Sequence, residues 1–106
     1  MAFNSDLTIV EGTATLSLSG ELDAVTAPSF HQTVEHVATL EVAKLIISLH
    51  DLTYISSAGL RSLVFARQNM DEAITLVMAG APPMVARTIR MAGIDLGIEM
   101  TDDYPG

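Results

Sequence analysis

Between residues 13 and 19 apolar and polar side chains alternate, with Ala14, Leu16 and Leu18 on one side and Thr13, Thr15, Ser17 and Ser19 on the other. That period of two marks a half-buried strand. A second strand pattern covers residues 7–10, and the intervening Glu11-Gly12 predicts a tight antiparallel hairpin. Gly20-Glu21-Leu22-Asp23 breaks the alternation, and the period then becomes helical. Thr26 is the expected N-cap and Pro28 falls in the first turn, ahead of an apolar stripe of Phe30, Val34 and Val37. Residues 44–49 form a short apolar run rich in β-branched side chains, which suits a strand buried on both faces.

Residues 50–57 read as a loop, followed by a helix to about Met70 whose inner face carries Leu60, Leu63, Val64 and the stem of Arg67. Asp71-Glu72 forms a turn before a second buried strand over residues 74–78. Gly80 and Pro82-Pro83 open a third helix with Val85, Ile89 and Ala92 inward and Gly93 past its C-terminus, where a left-handed cap is common. A short strand over residues 97–100 and a polar tail over residues 101–106 complete the pattern. The order β-β-α-β-α-β-α-β predicts an α/β fold, a mostly parallel sheet with right-handed crossovers and an antiparallel strand at one edge. With 106 residues this is one domain over residues 1–106, its core spanning about 7–100.

Charge changes the picture more than length does. Five Lys and Arg stand against thirteen Asp and Glu, a net charge of −8. Nucleic-acid binding needs a basic footprint, and anionic membranes repel such a chain, so neither is expected as a partner. The first residues show no basic-then-apolar leader and no apolar run approaches the ~20 residues of a membrane span, so a cytoplasmic location is the expectation. There are no cysteines, which excludes disulfides and thiolate metal sites.

The candidate chemistry lies in Asp51-Leu52-Thr53-Tyr54-Ile55-Ser56-Ser57-Ala58-Gly59-Leu60-Arg61, which joins a parallel strand to a helix at the sheet edge where functional loops gather. Ser56 or Ser57 caps the helix; alternatively, one of them accepts a phosphoryl group. A phosphate there meets free amides and the positive end of the helix dipole, and adds about −1.5 to −2 charges. Gly59, lacking a side chain, leaves the turn open to an approaching protein. A nucleophile elbow needs glycine two residues before the serine, where Ile55 stands. His50 with Asp51 makes poor triad geometry, and a P-loop lacks its Lys and second Gly. His31 and His36, five residues apart, do not share a helix face as metal ligands would. Arg87 and Arg90 form a solvated face open to a partner's carboxylates, and Met70, Met78, Met84, Met91 and Met100 read as core filler. No catalytic group, cofactor or metal ligand is expected.

Two stretches together, Gly20-Glu21-Leu22-Asp23 and Asp51-Leu52-Thr53-Tyr54-Ile55-Ser56-Ser57-Ala58-Gly59-Leu60, resemble the STAS domain of anti-sigma factor antagonists. The element order, the length and Met91-Ala92-Gly93-Ile94 fit as well, so the resemblance runs from about residue 7 to 100. It implies a partner switch rather than catalysis. The unphosphorylated protein would bind an anti-sigma factor that is also a serine kinase, releasing a sigma factor. Phosphorylation would end binding, and a serine phosphatase would restore it. Aligned on Gly59, the phosphoacceptor falls on Ser57, with Ser56 the second choice because it stands where many members carry Asp. Glu21, Asp23, Thr26, Ser56, Ala58, Gly59 and Arg61 are the implied partner-binding residues. The alternative is a non-switching STAS subunit of a larger stress-signalling or lipid-transport assembly.

Overall fold

The computed structural model describes residues 3–93 and 98–101. Its leading hairpin pairs β1 (Asn4–Val10) antiparallel with β2 (Thr13–Leu22), from Val10↔Thr13 to Asn4↔Ser19. Glu11 and Gly12 both adopt positive φ, 49° and 79°, as a two-residue type I′ turn requires. β2 continues three residues past the predicted break, its alternation unbroken through Gly20 and Leu22. The Gly20 φ of 86° is a conformation that lets glycine alone extend the strand here without strain.

After α1 (Ala27–Ala38), β3 (Lys44–Ile55) runs parallel to β2 and also outlasts its predicted end. Residues 50–55, expected in a loop, belong to this strand. The alternation is obscured because β3 carries an extra residue between the Ser17↔Ser48 and Ser19↔Asp51 pairs and another between Gly20↔Leu52 and Glu21↔Tyr54. Such bulges kink a strand and re-aim its side chains near functional rims. Thr53 Oγ1 secures the second one by donating to the Gly20 carbonyl at 3.0 Å.

The chain then forms α2 (Ser57–Asn69), β4 (Thr75–Ala79), α3 (Pro83–Met91) and β5 (Glu99–Thr101). The sheet order is β1-β2-β3-β4-β5, with every pairing after the hairpin parallel, as the sequence predicts. Crossovers stepping one way across a sheet, each right-handed, put the helices on one face. Phe30, Val34 and Val37 from α1, Leu63 and Ala66 from α2, and Val85 and Ile89 from α3 join Leu16, Leu18, Leu45, Ile47, Leu49 and Met78 in one core. Fully burying each large side chain contributes about 1.5–3 kcal/mol. The opposite face of β2 carries half-exposed Thr13, Thr15, Ser17 and Ser19.

Several inward assignments change. The buried face of α2 consists of Gly59, Ser62, Leu63 and Ala66, whereas Val64 is exposed and Leu60 and Arg67 are half-buried. Small residues let α2 approach its neighbours closely, a packing logic that a search for large apolar side chains misses. Arg67 donates from Nη1 to the Ile74 carbonyl at 3.0 Å and from Nη2 to the Asp71 carbonyl at 2.8 Å, closing the α2–β4 turn. Ala92 is exposed as the C-cap of α3, and Gly93 follows at φ 74°. Met84 and Met91 are 83% and 78% exposed and so are not core filler, unlike buried Met70 and Met78. Ile94 and Gly97, and the tail after Thr101, lie outside the described residues.

Candidate functional site

At the carboxyl end of β2 the chain must turn from strand to helix while satisfying the amides of the turn that leads into α1. Asp23 performs this task. Its Oδ1 accepts from the Val25 N–H at 2.9 Å and the Thr26 N–H at 3.1 Å. Its own N–H donates to Thr26 Oγ1 at 2.9 Å, and its carbonyl accepts from the Ala27 N–H at 2.8 Å. Thr26 occupies the N-cap position but does not cap the helix with its side chain. Its hydroxyl turns back to the Glu21 carbonyl at 2.8 Å, while the N–H groups of Ser29 and Phe30 donate to the Thr26 carbonyl at 3.1 and 3.3 Å, so no side chain caps α1. Val25, at the tip of this knot, is 87% exposed.

The end of β3 is built differently. Ser56 has extended backbone, φ −94° and ψ 178°, and its Oγ accepts from the Gly59 N–H at 3.2 Å. Its carbonyl receives the Leu60 N–H at 2.8 Å, and its N–H donates to the Leu22 carbonyl at 3.0 Å. Of the two serines, Ser56 is therefore the cap. Ser57 is the first residue of α2, exposed, and its hydroxyl makes no hydrogen bond to a described residue. First-turn amides lack intrahelical partners; Ser56 serves those of Gly59 and Leu60, and those of Ser57 and Ala58 have no hydrogen bond to a described residue. The first turn of α2 contains no acidic residue, so its dipole is uncompensated from within the helix.

The two loops meet at Leu22. Gly59 is buried, and a Cβ there would overlap the Leu22 carbonyl oxygen and come within 2.7 Å of Ile55 Cγ1. Gly59 therefore faces inward: its missing side chain admits the backbone of β2 rather than opening the turn to solvent. The other implied contact residues surround this junction. Glu21, in register with Tyr54, and Asp23, Thr26, Ser56 and Ala58 are half-buried, while Arg61 is exposed one turn beyond Ser57.

One support was not apparent from the sequence. Ser62 Oγ donates to the Ala58 carbonyl at 3.0 Å and lies 3.0 Å from His31 Nε2. With the Ser62 proton committed to Ala58, His31 is the donor in that contact. The His31 ring also stacks on Phe65, centroids 4.1 Å apart and planes 26° apart. Together these contacts tie α1 to the turn that carries Ser57. Their only sequence signal is a histidine on α1 and a serine on the buried face of α2. Tyr54, 51% exposed at the end of β3, is a further rim residue that a loop reading overlooks. His50 pairs with its neighbour Asp51, Nδ1 to Oδ1 3.1 Å, both exposed. Among the described residues no cluster of His, Asp or Glu is arranged to hold a metal ion, and no helix is long and apolar enough to cross a membrane.

The described residues thus form a parallel sheet with an antiparallel leading edge, helices on one face and a helix that starts with a serine at the rim. The chain belongs to the STAS domain family, whose model matches residues 4–104. It is similar to the anti-sigma-F factor antagonist RsfB of Mycobacterium tuberculosis, 25% identical over 84 residues that cover 79% of this chain and 69% of RsfB. The crystal structure of an anti-sigma factor antagonist from Mycobacterium paratuberculosis matches with a TM-score of 0.85 at 24% identity, covering 96% of this chain and 87% of that one. The anti-sigma factor antagonist SpoIIAA in its unphosphorylated form matches at 0.73 and 17% identity over 97% and 90% of the two chains. Its phosphorylated form, from Bacillus, matches at 0.64 and 16% over 93% and 90%.

Proposed function

We propose that this chain is an anti-sigma factor antagonist switched off by phosphorylation of Ser57. One observation carries the reading: the α2 start has a cap, Ser56, and beside it an exposed hydroxyl with no hydrogen bond to any described residue. The names of the similar proteins support the partner class, an anti-sigma factor. In this reading the partner is itself a serine kinase. The Ser57 oxygen attacks the γ-phosphorus of ATP, the bond to ADP breaks, and the hydroxyl proton is released. A serine phosphatase hydrolyses the phosphoserine and restores the hydroxyl.

The physical consequence is local. The new dianion sits at a helix N-terminus, where free amides and the dipole accommodate it, so the fold persists. The partner instead meets about −1.5 to −2 charges where it met a neutral hydroxyl, beside Glu21 and Asp23 and on a chain of net charge −8. A hundredfold loss of affinity corresponds to about 2.7 kcal/mol, within reach of two or three unfavourable charge contacts. In this reading the protein acts as a binding module.

Titration calorimetry against the anti-sigma kinase of the same cell tests this reading with wild type, Ser57→Ala and Ser57→Asp. Wild type and Ser57→Ala are expected to bind alike, and Ser57→Asp at least a hundredfold more weakly. Equal binding by all three would overturn the switch and favour a non-switching subunit.

A further inference from the structure

The basic residues of this acidic chain are unevenly placed. Arg67 is engaged with two carbonyls, Lys44 opens β3 at the far end of the sheet, and Arg61 stands beside Ser57. The other two, Arg87 and Arg90, lie one turn apart on α3, exposed and without an ion pair to any described residue. No acidic residue occurs between Pro83 and Met91. Residues 84, 88 and 91 form the adjacent stripe, and there Met84 and Met91 are 83% and 78% exposed. Beside this stripe a shallow trough separates α3 from the end of β3, lined by Thr53, Tyr54, Ile55, Met84, Val85 and Thr88. Tyr54 and Ile55 lead directly into Ser56, so the trough begins where the serine rim ends.

We propose that the outer face of α3 and this trough form a second docking surface, whose occupant is an acidic amphipathic helix of a protein partner. The trough and the two methionines suit an apolar stripe; exposed thioethers adapt to varied side chains, and grooves of this kind seat residues spaced i, i+3, i+4 and i+7. The arginines, on the flanking stripe, would hold carboxylates with paired N–H donors. On a chain of net charge −8, this helix face favours an acidic segment that much of the remaining surface repels, and the charge pairing fixes its register. The surface adjoins the serine rim but is built from residues other than Ser57.

The methionine methyl groups are built-in reporters. Full-length protein labelled at those methyls is titrated with a short helix-forming peptide carrying a leucine stripe flanked by glutamates, and with its glutamine counterpart. The Met84 and Met91 signals are expected to shift while buried Met70 and Met78 do not. The glutamate peptide should bind at least tenfold tighter than the glutamine peptide at low salt, and that advantage should shrink as salt screens the charges. The double variant Arg87→Glu/Arg90→Glu should lose at least tenfold, its unchanged Met70 and Met78 signals verifying the fold. Equal binding of the two peptides, or full binding by the double variant, would overturn the proposal. So would Met84 and Met91 shifts that depend on protein concentration alone, which would make a second copy the occupant. Preferential binding of phosphatidylglycerol vesicles would likewise overturn it.

Discussion

The α1 and α2 starts lie side by side at the carboxyl end of the sheet, and each must satisfy its first amides. At the α1 start, Asp23 and Thr26 are engaged with local backbone and with each other. At the α2 start, Ser56 alone supplies the cap, and the exposed hydroxyl of Ser57 has no hydrogen bond to a described residue. The first arrangement is a structural knot that also presents a carboxylate. The second separates the two roles, so a modification at Ser57 leaves the cap intact. Adjacent serines thus become unequal through backbone position alone, one extended and one helical.

That contrast can be strained at its shared hinge first. Gly59→Ala places a methyl group against the Leu22 carbonyl, which belongs to backbone and carries the Ser56 N–H bond. Overpacking of this kind costs about 1–3 kcal/mol, and the better helix propensity of alanine offsets about 1. A fall in the thermal midpoint of several degrees is expected, and an unchanged midpoint would show that α2 does not press on β2. Asp23→Ala comes next: it removes the acceptor for two amides and should cost about 1–2 kcal/mol, equivalent to roughly 4–16 °C at 4–8 °C per kcal/mol. Asp23→Asn, whose side-chain oxygen still accepts from both amides, should stay near wild type in denaturant unfolding. If it falls as far as the alanine variant, the negative charge of Asp23, rather than its oxygen acceptor, holds the knot.

The serine pair gives the smallest effects and the sharpest test of the comparison. Ser56→Ala should lose about 1 kcal/mol of stability, whereas Ser57→Ala should stay within about 0.5 kcal/mol of wild type. Equal losses would mean that the two hydroxyls share the capping role.

The hairpin, the order of elements and the antiparallel edge are legible because β2 alternates cleanly and α1 and α3 carry Pro or Gly at their boundaries. The length of β3 is not, because two bulges break the period of two across residues 50–55. Those bulges matter, since they carry Tyr54 to the rim. The α2 face escapes a hydrophobic pattern because Gly59, Ser62 and Ala66 pack through smallness. Composition alone sets Met84 and Met91 inward, whereas the helical period sets them away from buried Val85 and Ile89. At the site, sequence narrowed the cap to two serines; the extended backbone of Ser56 and its bond to Gly59 decide which. The His31–Ser62 contact joins residues 31 apart, and no local pattern encodes it.

Phosphopeptide mapping of the protein recovered from its own cells, resting and stressed, tests the central claim most directly. The account predicts phosphate on Ser57, changing in occupancy with condition, and none on Ser56. Phosphate on Ser56, or an unmodified Ser56–Ser57 peptide under every condition, would contradict it.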